Sequence, residues 1–393
     1  MRVREIHIKG FKSVLDQSVS LGRVNCFIGA NGVGKSNVLE AIGVLGAAAT
    51  GRVDDEAILR RGVRAGLPRL FKTSFAGARV PPYIGLEARA EPSATFLVSL
   101  LKPVDSMRAW SFKTEVLSSG ETQIVSRGAH THRGAPKNLQ ATRGLSALRV
   151  VDLLPGDPAS LLMKALQEYV IYTPNTPALR ATIPDPQIRA PVGLAGGGLA
   201  EGFEELKRSV DEARVDEILE LIDWVRDVGV TEAAGDLLSP SVPRTRNVLK
   251  FTDRFMAASR NTLTAADASE GALYVLFAAV LCLSPSSPSI FAIDNLDSAL
   301  NPRLVTRLVG HLAGWLVATN PDRQLLFTAH NPTVLDGLDL EDDEVRLFAV
   351  ERNSEGHTTV RRITLTPKLQ ALHGEYPLSR LWAMGHLGAV PNV

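Results

Sequence analysis

The octapeptide Gly29-Ala-Asn-Gly-Val-Gly34-Lys35-Ser36 matches the pattern G-x-x-x-x-G-K-[ST] and constrains this chain more than any other feature. It follows an apolar run, Val24 to Ile28, that reads as a strand. It opens a run with Val38, Leu39, Ile42 and Leu45 at helical spacing. Glycines in such a loop let backbone N–H groups close around phosphate oxygens, and the helix N-terminus favours the negative charge. The loop therefore predicts a nucleoside triphosphate site. Asn31, Gly32, Gly34 and Asn37 surround the phosphates, Lys35 reaches the β- and γ-phosphates, and the Ser36 hydroxyl ligates Mg²⁺.

A loop of this kind needs an acid at the end of a neighbouring apolar strand to hold the metal shell. Ile290-Phe-Ala-Ile-Asp294 supplies it, and a helix over 301–318 then leads to a second apolar strand from Gln324 to Thr328. Strand, helix and strand with short joins is the parallel βαβ pattern. Residues 3–9 and 24–29 read as strands joined through Phe11-Lys-Ser and a turn near Gly22. A buried helix spans about 270–283, helices cover 199–228, and a hairpin pairs 345–351 with 358–365. The expected architecture is α/β, a P-loop fold with a mixed sheet, an antiparallel β lobe and a helical insertion. Residues 1–50 and 246–393 form its split nucleotide domain, 51–150 the antiparallel lobe with basic loops, and 151–245 the mostly helical insertion.

Composition bounds the alternatives. A chain of 393 residues, 45% hydrophobic and 22% charged, suits a water-exposed globular protein with ample core. Only Cys26 and Cys282 occur, which excludes a disulfide scaffold or a cysteine-based zinc module and suits a reducing cytoplasm. The longest apolar run, Gly271 to Leu283, is too short to span a bilayer, so no membrane role is expected. Lys plus Arg (43) balance Asp plus Glu (42), but unevenly along the chain. Ala57 to Leu86 holds Arg60, Arg61, Arg64, Arg69, Lys72 and Arg79 and no acid, and Thr122 to Val151 is also acid-free. Glu201 to Asp236 carries twelve acids against four bases. Such segregation marks either a face for an anionic partner, DNA through 60–79 and 127–149 included, or charges that neutralise one another after folding.

Beyond the loop, the order of parts resembles the ABC-type ATPase heads of RecF, SMC proteins and the OLD-like ATPases of bacterial phage defence. The resemblance rests on the opening IHIKGFKSVLDQSVSLGRVNCFIGANGVGKSNVLEAI, on Ser269-Glu-Gly271 before the metal strand, on Asp294-Asn-Leu-Asp-Ser-Ala-Leu-Asn301 after it, and on Leu326-Phe-Thr-Ala-His330. Ile171-Tyr-Thr-Pro-Asn with Leu179-Arg180 is similar to single-chain members of the defence type. It implies ATP and Mg²⁺ as cofactors, Lys12 as a nucleotide contact, and Ser269, Glu270 and Gly271 as a signature presented to ATP held by a second copy. It further implies a homodimer or larger homo-oligomer with ATP at the interface, and His330 as a switch histidine. Where the family usually has Glu after the metal-strand Asp, this sequence has Asn295, which can orient water but cannot take its proton. Asp297, two residues on, is the possible substitute. About 60 residues follow His330, too few for a TOPRIM nuclease domain. The expectation is a slow cytoplasmic ATPase that controls a separate effector, such as a nuclease, in phage defence. A RecF-like DNA-repair ATPase and a nucleotide-held scaffold with little hydrolysis are the alternatives.

Overall fold

The computed structural model describes residues 1–77, 79–101, 110–127, 146, 151–232 and 247–388. From the N-terminus, β1 (Arg2–Phe11), β2 (Val14–Ser20) and β3 (Val24–Ile28) precede α1 (Lys35–Ala49) and α2 (Asp55–Leu59). Four strands follow: β4 (Ile84–Glu91), β5 (Ala94–Leu101), β6 (Ser111–Ser119) and β7 (Thr122–Arg127). Then come α3 (Pro158–Glu168), β8 (Ile171–Tyr172), α4 (Thr176–Leu179), α5 (Leu199–Ser209), α6 (Glu212–Leu219), β9 (Val225–Glu232), β10 (Asn247–Asp253) and β11 (Thr262–Thr264). The last part holds α7 (Glu270–Leu283), β12 (Ile290–Ile293), α8 (Pro302–Thr319), β13 (Gln324–Ala329), β14 (Val345–Arg352), β15 (Thr358–Ile363), α9 (Pro367–His373) and α10 (Leu378–Ala383).

Every residue of β3, β12 and β13 is buried, so these strands lie inside a sheet covered on both faces. That sheet runs β15-β14-β3-β13-β12-β8, parallel except for the β14–β15 hairpin. Its register aligns Ile28 with Ala329 and with Ala349, and Ile293 with Phe327. The loops leaving β3, β12 and β13 therefore open at one edge, the C-terminal end of the parallel strands, where open α/β sheets bind ligands. On one face lies α7, whose residues are all buried from Ala272 to Leu283, with α8 against it. On the other lie α1 and α3, backed by a second, antiparallel sheet of order β2-β1-β4-β5-β6-β7. That lobe takes its first two strands from residues 2–20, and β8 joins the nucleotide sheet from within 151–245.

Two local expectations need correcting. The join between the first strands contains another strand, β2, because Lys12 adopts a positive φ of 47° and reverses the chain after Phe11. The helices expected over 199–228 end at Leu219, and a strand begins at Val225. Asp211 caps a second helix by accepting from the Arg214 N–H, and from Val225 the chain pairs antiparallel with β10 as a strand. The histidine- and arginine-rich loop 128–144 lies outside the described residues.

Candidate functional site

The site begins with the loop between β3 and α1. Gly34 sits at φ 111°, and a Cβ there would come within 2.2 Å of the Thr358 Oγ1 and 2.8 Å of the Ser13 Oγ. Thr358 reaches in from β15 and donates to the Val33 carbonyl (2.6 Å), while its hydroxyl also meets that of Ser13 (2.7 Å). Asn37 donates to the Ser13 Oγ (2.7 Å). The loop is thus braced from the β1–β2 turn and from the C-terminal hairpin, residues 345 apart in sequence. Gly32, at φ 76°, has nothing within 4 Å of its missing Cβ and faces open space, as close backbone approach by a ligand requires.

A cleft of about 490 Å³ opens over this loop, lined by Asn31, Gly32, Gly34, Lys35, Ser36, Asn37, Arg64, Thr173, Asp294, Asn295 and His330. The Lys35 ammonium is buried and donates to the carbonyls of Gly29 (2.7 Å) and Ala30 (3.0 Å). Burial lowers its pKa to about 8, against the opposing pull of Asp294 and Asp297. The Ser36 Oγ donates to both carboxylate oxygens of Asp294 (2.9 and 3.1 Å), and the Thr328 hydroxyl donates to Oδ1 (2.6 Å). Hydroxyl and carboxylate oxygens side by side are a hard donor set. They fit Mg²⁺, which takes one or two protein ligands and completes its shell with phosphate and water. No group of three or more His, Cys, Asp or Glu that could hold a metal unaided occurs among the described residues.

His330 ties the two halves of the cleft together. Its Nδ1 lies 3.3 Å from the Lys35 ammonium and its Nε2 lies 2.9 Å from the Asn295 Oδ1. An ammonium can only donate, so Nδ1 accepts, Nε2 carries the proton, and the ring is neutral. Burial, reinforced by Lys35, lowers the His330 pKa and favours that form. With one lone pair of Oδ1 so engaged, the Asn295 amide still offers both N–H donors and the second lone pair of Oδ1. Asn295 itself sits at φ 59°, a left-handed conformation that asparagine tolerates, and its N–H donates to the Thr328 hydroxyl (2.8 Å).

Asp297 does not line the cleft. Its Oδ2 accepts the backbone N–H groups of His330 (2.8 Å) and Asn331 (2.5 Å), which fixes the turn that carries the histidine. Ser269, Glu270 and Gly271 also lie outside the cleft. Ser269 caps α7 by accepting from the Ala272 N–H (3.4 Å), and Glu270 is exposed.

Lys12 is held beside the cleft by a residue that its sequence position does not announce. Glu40, one turn into α1, is 2% exposed. Its carboxylate accepts from Lys12, from the Arg64 Nε (2.6 Å) and from the Arg64 N–H (3.1 Å). Burial pushes the Glu40 pKa up, but Arg64 and Lys12 outweigh it and hold the carboxyl below its usual range. The Lys12 pKa is lowered by burial despite Glu40, and its ammonium lies 4.8 Å from the centre of the Phe71 ring. Arg64, Thr173, Thr328, Glu40 and Thr358 were not among the candidate residues. Arg64 alone left a trace, as part of an acid-free basic run.

Two family models match the sequence. One, described as "AAA ATPase domain", matches residues 1–57. The other, described as "AAA domain, putative AbiEii toxin, Type IV TA system", matches residues 208–336. No curated protein matches the chain. Among solved structures, the chain is similar to an Smc head bound to the C-terminal winged-helix domain of ScpA, at 12% identity and a TM-score of 0.55, covering 94% of this chain and 100% of that one. It is also similar to the SMC head domain from Thermotoga maritima (15% identity, TM-score 0.47, 93% and 100% covered). A Pyrococcus furiosus Smc head with an extended coiled coil, bound to the C-terminal domain of ScpA, gives 13% identity and a TM-score of 0.47, with 95% and 99% covered.

Proposed function

We propose that this chain is an ATPase head of the ABC/SMC-like type, a slow ATP-hydrolysing switch that dimerises around ATP. The observation that carries this reading is the split of the site. Lys35, Ser36, Asp294, Asn295 and His330 share one cleft, while Ser269 to Gly271 form a helix N-terminus that lies outside it. Ser269 and the first N–H groups of α7 can donate to the γ-phosphate of a nucleotide held by another copy.

Lys35 binds the β- and γ-phosphates by leaving the Gly29 and Ala30 carbonyls, and Asn37 and Arg64 flank the same anion. Ser36 and Asp294 would hold Mg²⁺, which supplies charge neutralisation to the phosphates when bound. Asn295 orients the attacking water through its N–H donors. Neither it nor the doubly engaged His330 accepts the proton, so the general-base contribution, about 10²–10⁴-fold, is missing. Asp297 acts as a positioning residue, holding the turn that aims His330.

The description of the family model over 208–336 names a putative toxin of a toxin–antitoxin system, which supports a defence setting. Control of a separate effector, such as a nuclease, is part of the proposal. A cytoplasmic location suits two buried free cysteines. No helix among the described residues is long and apolar enough to cross a membrane.

Phosphate release with Mg²⁺-ATP tests the reading. The native chain should turn over slowly, and Asn295→Glu should raise kcat about tenfold. That gain is smaller than a full general base gives, because a longer side chain must adopt the left-handed backbone at 295, at about 1 kcal/mol. ATP bound with no turnover in either protein would instead mark a nucleotide-held scaffold.

A further inference from the structure

Strand β13 is apolar apart from Gln324 and Thr328, and both of these polar side chains are buried, at 1% and 0% exposure. A buried polar group must be hydrogen-bonded, and its partners show what it is kept for. Gln324 works away from the cleft. It accepts from the Val3 N–H (2.8 Å) and donates to the Val3 and Gly22 carbonyls (2.9 and 2.8 Å), which ties β13 to the start of the chain. Thr328 works in the cleft.

The parallel register sets Ile293 beside Phe327, so the chain leaving β12 passes Thr328. The Thr328 hydroxyl donates to the Asp294 Oδ1 (2.6 Å) and accepts the Asn295 N–H (2.8 Å), and the Thr328 carbonyl accepts the Leu296 N–H (3.1 Å). Three consecutive residues are thus moored on one. The direction of the hydroxyl is forced. A backbone N–H can only donate, so the hydroxyl oxygen accepts from Asn295 and its one proton turns to Asp294. Bonds chained in this way, from N–H to hydroxyl to carboxylate, polarise one another.

Each end of the chain is a working group. At one end, Thr328 takes Oδ1 of Asp294 while the Ser36 hydroxyl lies nearer Oδ2 (2.9 Å) than Oδ1 (3.1 Å). The two hydroxyls fix the carboxylate plane, and Oδ2 is the oxygen left for a metal shell. At the other end, Asn295 stands at φ 59°, a conformation that a side chain adopts only with support from its surroundings. Anchoring of its own N–H and that of Leu296 on Thr328 supplies the support, and the Asn295 Oδ1 then meets the His330 Nε2 (2.9 Å).

We propose that Thr328 is a positioning residue for both halves of the reaction: its hydroxyl fixes the Asp294 carboxylate for Mg²⁺ and holds Asn295 in the turn that aims its water-orienting amide. The inference rests on the ATPase reading above. It makes metal binding and water orientation depend on the same hydroxyl, so both should fail together when it is removed.

Thr328→Val keeps the shape and removes the hydroxyl, while Thr328→Ser keeps the hydroxyl and removes a buried methyl. Affinity for a non-hydrolysable ATP analogue is measured by equilibrium binding in Mg²⁺ and in EDTA, and kcat by phosphate release. In Mg²⁺ the valine variant should bind at least about tenfold more weakly than the native chain, with kcat lower by at least about tenfold. In EDTA it should bind within about twofold of native, because the hydroxyl acts through the metal ligand. The serine variant should return both quantities to within about threefold of native. A threonine kept only for packing gives the reverse order, with serine worse than valine and the same loss in Mg²⁺ and in EDTA, and that result overturns the proposal. A native chain whose analogue binding is indifferent to Mg²⁺ overturns it too. Thermal transitions show which variants fold. Where the valine variant does not, Thr328→Cys, a much weaker donor of similar size, should show the same Mg²⁺-dependent loss, and native affinity in that variant overturns the proposal. A native chain that binds the analogue with Mg²⁺ but releases no phosphate removes the ATPase reading, while the Mg²⁺ and EDTA comparison still decides the hold of Thr328 on Asp294.

Discussion

Lys35→Ala should bind ATP at least about 100-fold more weakly than the native chain, with phosphate release falling to background. A charge-assisted contact to phosphate contributes about 1.5–3 kcal/mol, and this ammonium serves more than one phosphate oxygen. Ordinarily such a loss could be blamed on a damaged loop. Here the structure separates the two effects, because Lys35 is a burden on the folded state. Burial lowers its pKa to about 8, so the unfolded chain holds the proton more tightly and the charge opposes folding at neutral pH. Alanine removes that penalty but leaves the Gly29 and Ala30 carbonyls without their donor. The two changes roughly cancel, and stability should move by no more than about 1 kcal/mol. Calorimetric titration and urea unfolding on the same sample check both halves. A large stability loss with proportionate loss of binding would contradict this account.

Glu40→Ala should have the opposite profile, a large loss of stability. Removing a buried carboxylate leaves the half-buried Lys12 ammonium and the Arg64 N–H without their acceptor, which costs about 3 kcal/mol. The exposed end of Arg64 adds little, since water solvates it in either protein. The loss has a pH signature. Arg64 and Lys12 hold the Glu40 pKa below its unfolded value, so its contribution is complete above about pH 4.5 and disappears as pH falls through the folded value. Urea unfolding should therefore show the full deficit at pH 7 and one that shrinks as the pH falls below about 4.5 through the folded value. A deficit that does not change with pH would mean that the side chain matters through packing and not through charge.

The parts of the site written in one stretch of chain were legible. Gly29 to Ser36 announces itself because a phosphate cradle needs glycines, lysine and a hydroxyl at fixed offsets. Asp294 and His330 follow because each comes just after a mainly apolar strand, and parallel strands bring such ends to one edge. Glu40 was not legible. On a helical wheel it reads as an ordinary polar position, and only the return of residues 60–72 across α1 buries it. Thr328 and Thr358 are hidden for the same reason, as single hydroxyls whose partners are far away in sequence. The helical reading carried on to residue 228 shows a different limit. Ile218, Leu221 and Val225 continue a helical spacing, and the buried Val225 and Val228 of the strand are themselves three apart, so no period of two marks its start.

The placement of β3 between β13 and β14 also sets a schedule for biosynthesis. The strand that carries the phosphate loop leaves the ribosome early, but both of its sheet neighbours are encoded beyond residue 323, and the Thr358 brace later still. At about 5–20 residues per second the loop waits on the order of 20–60 s for them. Throughout that interval β3 is an apolar strand with two open edges. The phosphate loop is therefore framed only once β13, β14 and the Thr358 brace have been made, and a chain interrupted before then carries the loop without its support.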